Sequence, residues 1–384
     1  MTLPVIVFAT SLAICIYVYA GYPVLLYLLS RLRTQRVQRA DIEPSVSIII
    51  PVHNEASVID AKLQNTFDLD YPSDRFEVVV VSDGSTDRTH TIVRRFNRVR
   101  LVTLPRRGKV HALNHGVRRA SGEVLVFTDA NTLLTRSSLR ALIRNFADPD
   151  VGGVCGNYRI GSLEDATGRG ESLYWRFEKW QKRLESRIGS VIGANGALYA
   201  IRKSLYQPIE DGDQADDLAI SSRVVLQHRR LVFDRHAIAV ENEPRDSKNE
   251  LRRKIRVTHH SLRALLGLEG RLWRSGFYSF ELVSHKLLRY LVPVFLLALY
   301  VSNVVIADAH PFFGFALLAQ MTLYATAASA QLLQDSGLSD HRFLALPYYF
   351  CLVNAAALAG LVSVLRGQRM TAWTPRLDAR TFGK

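Results

Sequence analysis

Cysteine is scarce in this 384-residue chain, with only Cys15, Cys155 and Cys351. The three are scattered, two of them inside apolar segments, so they form neither a disulfide framework nor a metal-ligating spacing, as expected of a protein facing a reducing compartment. Internal repeats and low-complexity linkers are also missing. So are the marks of a nucleic-acid binder: no zinc spacing of Cys and His, no aromatic RNA-stacking motif and no isolated basic helix. The net charge of +14, from 49 Lys plus Arg against 35 Asp plus Glu, is better explained by anionic lipid headgroups and a phosphorylated substrate than by nucleic acid.

Charge is nearly absent from four stretches: Leu3 to Ser30 and, roughly, Leu287 to Ala307, Phe312 to Leu333 and Leu344 to Leu365. Each is near or above the roughly 20 residues that span a bilayer's hydrocarbon core, and a soluble core helix seldom stays apolar all round for so long. The first is too long for a secretory signal, lacks a basic leading region and shows no small-residue cleavage site. Arg31, Arg33, Arg36 and Arg39 follow it directly, so the positive-inside rule puts the middle of the chain in the cytoplasm and the protein in the cytoplasmic (inner) membrane. The loop around Asp308 and His310 lacks Lys and Arg, which suits the outer side. Four spans then put the C-terminus outside, yet the tail carries Arg366, Arg369, Arg376, Arg380 and Lys384. Either a late segment is re-entrant or interfacial, which we expect, or the tail defies the usual bias. The expected division is a membrane segment over 1–30, a cytoplasmic domain over 31–270, an interfacial amphipathic segment over 271–286, three membrane segments over 287–366 and a basic tail over 367–384.

The middle alternates between two periods. "SVSIIIPV", "FEVVVVSD", "RLVTL" and "EVLVFTD" read as strands, and "ASVIDAKLQNTF", "DRTHTIVRRF" and "KVHALNHGVRRA" between them as helices. Short β-branched runs separated by helical periodicity predict an open, mostly parallel α/β sheet covered on both faces. Such sheets bind ligands beyond the carboxyl ends of their strands. There this chain places His53, Asn54 and Glu55, then Asp83, Gly84 and Ser85, then Arg106 to Lys109, then Asp129 to Asn131. One polar turn is only a loop, but four at one edge suit a nucleotide and a metal. Asp129 and Asn131, two apart in extended chain, send their oxygens to one side and can share Mg²⁺ or Mn²⁺, which favour oxygen ligands. A cap for a helix beginning near Thr135 is the competing reading.

With "SIIIPVHNE", "VVVVSDGSTDRT", "RRGKVHALNHG" and "FTDANT" in order, the chain resembles the family 2 glycosyltransferases of GT-A, Rossmann-like fold. It is most similar to membrane-integrated members such as hyaluronan, chitin, cellulose and poly-N-acetylglucosamine synthases. The resemblance implies that Pro51, Asn54, Glu55, Asp83 and Gly84 hold the uracil and ribose of a UDP-sugar and that Lys109 and Asn114 lie beside the nucleotide. Asp129 matches the first acid of a D-x-D metal motif whose second acid is Asn131 here. "DQADDLAIS" resembles the E-D-x-x-L segment, with Asp216 in the Glu position and Asp217 as catalytic base. Chemically, a carboxylate must take the proton of an attacking sugar hydroxyl; in isolation two acids before an apolar helical run more often complement a helix dipole, and only their place after the nucleotide motifs reverses that reading. "GANGALYAIRKSLY" resembles the acceptor site, through Gly193, Asn195, Gly196 and Tyr199, with a tight turn into a strand as an equal alternative. In "RRKIRVTHH", Arg253 stands at the Gln and Arg256 at the Arg of the Q-x-x-R-W of processive members, so Arg253 and Arg256 are expected at the diphosphate. Val257 replaces the Trp that stacks on the acceptor.

These residues imply an inverting, UDP-sugar-dependent hexosyltransferase acting on a polysaccharide or lipid-linked acceptor in exopolysaccharide or cell-envelope glycan synthesis. The competing functions are a nucleotidyltransferase and a non-catalytic, nucleotide-sensing membrane scaffold. The partners implied are donor, acceptor and membrane lipid, with no nucleic acid.

Overall fold

The computed structural model describes residues 2–161, 173–241, 247–268, 270–271, 275–333 and 342–370. It divides into two compact units, one of Met1–Leu25, Asp246–Leu262 and Phe280–Arg369, the other of Leu26–Arg245, Arg263–Ser279 and the stretch from Met370. The chain opens with α1 (Leu3–Ile16), a π-helical turn and α2 (Tyr22–Leu32).

The sheet unit follows the period read from the sequence. β1 (Val46–Val52), α3 (Ile59–Phe67), β2 (Phe76–Asp83), α4 (Thr89–Val93), β3 (Val99–Leu104), α5 (Lys109–Arg119) and β4 (Val124–Phe127) alternate strand and helix. The second half is less regular: β5 (Leu133–Leu134), α6 (Ser138–Ile143), β6 (Val151–Ile160), α7 (Leu173–Ile188), β7 (Tyr199–Arg202), α8 (Asp216–Leu226) and β8 (Arg230–Glu241). One sheet holds all of these strands in the order β3-β2-β1-β4-β7-β6-β8-β5. β1 pairs in parallel with β2 and β4, and β2 with β3, whereas β7 runs antiparallel to β4 and β6. This is the open, mostly parallel sheet that the sequence predicts. Every residue of β1 is buried, which is why its run reads as continuous Val and Ile rather than alternating.

Close approach of helix to sheet is set by small residues. A Cβ on Gly116 of α5 would lie 2.8 Å from Ile49 Cγ2 and 2.9 Å from Val81 Cγ2, so the absence of a side chain lets α5 lie directly on β1 and β2. The core below holds Ile48, Ile50, Val78, Val80, Val126 and Leu198.

The other unit holds α1, α9 (Ser247–Leu266), which runs past its boundary, and, joined to α10 (Phe277–Leu282) by a π-helical turn, α11 (Leu288–Ile306); then come α12 (Pro311–Leu332) and α13 (Arg342–Leu365). Leu3–Leu32, Phe277–Ala309, Pro311–Leu332 and Phe343–Leu365 are each long and apolar enough to cross a membrane. Two expected boundaries differ. The segment 271–286 is not a separate interfacial piece from Phe277 onward, because it runs on as one apolar helix to Ala309. Nor does a single domain extend over 31–270. Much of α9 belongs with the apolar helices, since His259 Nδ1 lies 2.7 Å from Ser363 Oγ and the Lys254 ammonium sits 5.8 Å above the Tyr349 ring. Both late helices are uninterrupted over their lengths. The tail beyond Met370 lies outside the described residues.

Candidate active site at the carboxyl edge of the sheet

β1 has β2 on one side and β4 on the other, so the chain's connections diverge there and a crevice opens beyond the strand ends. Pro51 is buried within β1, and Asn54 follows with a left-handed backbone, φ 53°. Its Oδ1 accepts the Thr86 backbone N–H at 2.7 Å, and the Glu55 N–H donates to Thr89 Oγ1 at 2.9 Å. The turns after β1 and β2 are thereby fastened together. Gly84 has φ 65°, and a Cβ there would meet the Arg106 backbone nitrogen at 2.8 Å, so only glycine fits.

Four charged groups from distant stretches converge. Lys109 opens α5, and its Nζ lies 2.8 Å from Asp129 Oδ1 and 3.3 Å from Asp216 Oδ2. Asp217 Oδ2 accepts the Gly196 N–H at 2.9 Å, and its Oδ1 accepts the Leu218 N–H at 2.7 Å. A Cβ on Gly196 would stand 3.4 Å from Asp129 Oδ2, 3.5 Å from Lys109 Nζ and 3.7 Å from Asp217 Oδ2. Gly196 thus marks the point about which Asp129, Lys109 and Asp217 gather, and a side chain there would crowd them.

The electrostatics follow from this crowding. Burial raises the Asp216 carboxyl to about 6; Lys109 opposes the rise, while Asp217 and Asp129 add to it. Burial alone would depress the Lys109 ammonium, but the charges of Asp129 and Asp216 outweigh it and hold the proton on more firmly than usual. Three carboxylates therefore face one ammonium. The excess negative charge and hard oxygen donors fit a divalent cation such as Mg²⁺ or Mn²⁺, which Asp129 and the Asn131 carbonyl could ligate. The alternative of a helix cap at Asp129 or Asn131 does not hold, since α6 starts only at Ser138. Asp216 and Asp217 do open α8, so the helix-dipole and site readings of this pair are met by the same residues.

Three expected residues are held by protein partners. Asp83 is buried, and its two carboxylate oxygens accept the backbone N–H groups of Arg107 and Gly108 at 2.7 and 2.8 Å; it shapes the loop entering α5. Asn114 donates to Ile209 O at 2.7 Å and accepts from Tyr206 Oη at 2.5 Å, which pins the 206–209 loop. Tyr199 is fully buried with its ring stacked 4.7 Å from that of Phe127, so it offers no face to an acceptor sugar. Gly193 takes φ 76° against Leu218, and Asn195 Oδ1 accepts the Ala197 N–H at 3.0 Å; both shape the loop that presents Gly196. Arg253 and Arg256 lie on α9 in the other unit, where Arg253 makes a 2.7 Å ion pair with Glu250.

Lys62 and Glu241 were not singled out by the motifs. Lys62 is fully buried, and its Nζ donates to Thr128 Oγ1 at 2.8 Å and Thr132 O at 2.6 Å, bracketing the turn that carries Asp129. Burial lowers its pKa to about 7, with Asp129 opposing the fall. A signal existed: Ile59, Lys62, Leu63 and Thr66 form one buried stripe of α3, and a lysine on an inward stripe is rare without a partner. Glu241, beside Asn131, left no such local trace.

Residues 47–208 match the family described as Glycosyl transferase family 2. The chain is 31% identical over 230 residues to the probable glycosyltransferase YdaM of Bacillus subtilis (strain 168), covering 56% of this chain and 54% of that protein. It is 26% identical over 218 residues to the poly-beta-1,6-N-acetyl-D-glucosamine synthase of Staphylococcus epidermidis, covering 54% and 52%. The chain thus spans about half the length of these two relatives. Among solved structures it is similar to the mannosyltransferase PcManGT from Pyrobaculum calidifontis in complex with GDP-Man and Mn²⁺, with TM-score 0.69 and 25% identity, over 94% of this chain and 100% of that one.

Proposed function

We propose that this chain, which carries a glycosyltransferase family 2 domain, transfers a sugar with inversion from a UDP-sugar to a polysaccharide or lipid-linked acceptor at the cytoplasmic face of the inner membrane, in exopolysaccharide or cell-envelope glycan synthesis. The observation that carries the reading is the gathering of Lys109, Asp129, Asp216 and Asp217 around Gly196. Asp217 is the base that takes the acceptor hydroxyl's proton. Its bond to the Gly196 N–H fixes one carboxylate oxygen. Asp216 and Asp129 hold Lys109 where its ammonium faces the departing diphosphate. A divalent cation at Asp129 and Asn131, when bound, neutralises diphosphate charge. Direct displacement turns an α-linked donor into a β-glycoside. The four apolar helices support a membrane setting, the resemblance to a poly-beta-1,6-N-acetyl-D-glucosamine synthase supports glycan synthesis, and the PcManGT complex supports nucleotide-sugar and Mn²⁺ use.

The test is incubation of purified protein with radiolabelled UDP-sugars, and with GDP-mannose in parallel. Transfer from a UDP-sugar that stops with EDTA and returns with Mn²⁺ or Mg²⁺ is the expected result. Incorporation from GDP-mannose alone would reassign the donor, and activity indifferent to chelator would remove the cation.

A further inference from the structure

Compared with a D-x-D strand end, this one is short of one negative charge, because Asn131 stands at the second position. An amide ligates a cation only through its carbonyl oxygen, and one free to flip offers its NH₂ face just as readily. The structure holds it one way. Asn131 Nδ2 donates to Glu241 Oε1 at 2.5 Å. A carboxylate only accepts, so the NH₂ must face Glu241 and the carbonyl oxygen must turn away from it. Glu241 itself is buried and braced: Tyr158 Oη donates to its Oε2 at 2.8 Å, and Tyr158 packs its ring 5.1 Å from that of Trp175. Pairing of Leu133 with Val240 carries Glu241 to the turn that follows β4.

We infer that Glu241 is a positioning residue of the cation site, orienting the Asn131 amide so that its carbonyl oxygen meets the ion and restoring nearby the negative charge that Asn131 lacks. The inference rests on the proposed reading that Asp129 and Asn131 hold a divalent cation. It has a consequence opposite to simple motif repair. Asn131→Asp alone sets two carboxylates against each other at a part-buried point, where like charges repel. Asn131→Asp combined with Glu241→Gln exchanges donor and acceptor, keeps the charge and rebuilds the hydrogen bond.

The experiment measures Mn²⁺ binding to the full-length protein in detergent with UDP present, from the paramagnetic signal of free Mn²⁺, together with the thermal midpoint. Glu241→Gln is expected to weaken Mn²⁺ binding about tenfold, in the range of other changes behind a metal ligand. Asn131→Asp should weaken it too, and the exchanged pair should return affinity and midpoint to near those of the parent. Unchanged Mn²⁺ affinity in Glu241→Gln, with binding lost in Asp129→Ala, would overturn the role of Glu241 and leave the cation site standing. Unchanged affinity in Asp129→Ala would overturn the cation reading and this inference with it. Should Glu241→Gln fail to fold, the exchanged pair decides: folded without Mn²⁺ binding, it overturns the inference.

Discussion

Lys62 and Asp217 sit near the same turn under opposite constraints. Between about pH 7 and its ordinary value, the unfolded chain keeps the Lys62 proton and the folded one has lost it. More protons bound in the unfolded state means stability that rises with pH across that window, by up to about 1.4 kcal/mol per pH unit for a single group. Lys62→Met should flatten the rise, read as the change in urea midpoint between pH 7 and 9 relative to the parent. Asp217 is partly buried, and in the proposed mechanism it acts on the acceptor, not on the nucleotide. Asp217→Asn should therefore lower kcat by roughly a hundredfold or more. Its UDP affinity by calorimetry should stay near that of the parent, and full activity would remove Asp217 from the chemistry.

Helix α5 links packing to chemistry, because the helix that carries Lys109 at its first turn is seated through Gly116. Any side chain at 116 must displace Ile49 or Val81 or lift the helix. Gly116→Val should cost about 1–3 kcal/mol by overpacking, and transfer should fall further than that loss explains as Lys109 moves from Asp129 and Asp216. Gly212, whose Cβ position meets nothing within 4 Å, is the control: Gly212→Ala should leave both denaturation midpoint and transfer near parent values.

For the whole molecule the open quantity is product length. An aromatic face lets an acceptor site hold a polymer after each addition without fixing one position, and Val257, exposed on α9, has none. Tyr199 is buried and Trp175 is packed on Tyr158, so these two aromatics are already in use. Labelled products sized from membranes should be short or single additions. Val257→Trp should shift them longer, Arg256→Ala should reduce transfer itself, and a long polymer from the unaltered protein would sink this expectation.

Composition and periodicity alone determined the parallel half of the sheet, the four apolar helices and the polar turns at the strand ends, because each depends on a local pattern: β-branched runs, helical spacing, absence of charge over a membrane's width. Lys62 was readable in the same way, as a charge on an inward stripe. Tertiary structure alone decided which polar groups meet. Asp83 serves Arg107 and Gly108, Asn114 serves Tyr206 and Ile209, and Asn131 faces Glu241, because loop closure and strand order bring them together across long separations. A hydrogen bond depends on position in space and leaves no period in the chain, so a motif can name an acid or an amide but not its partner.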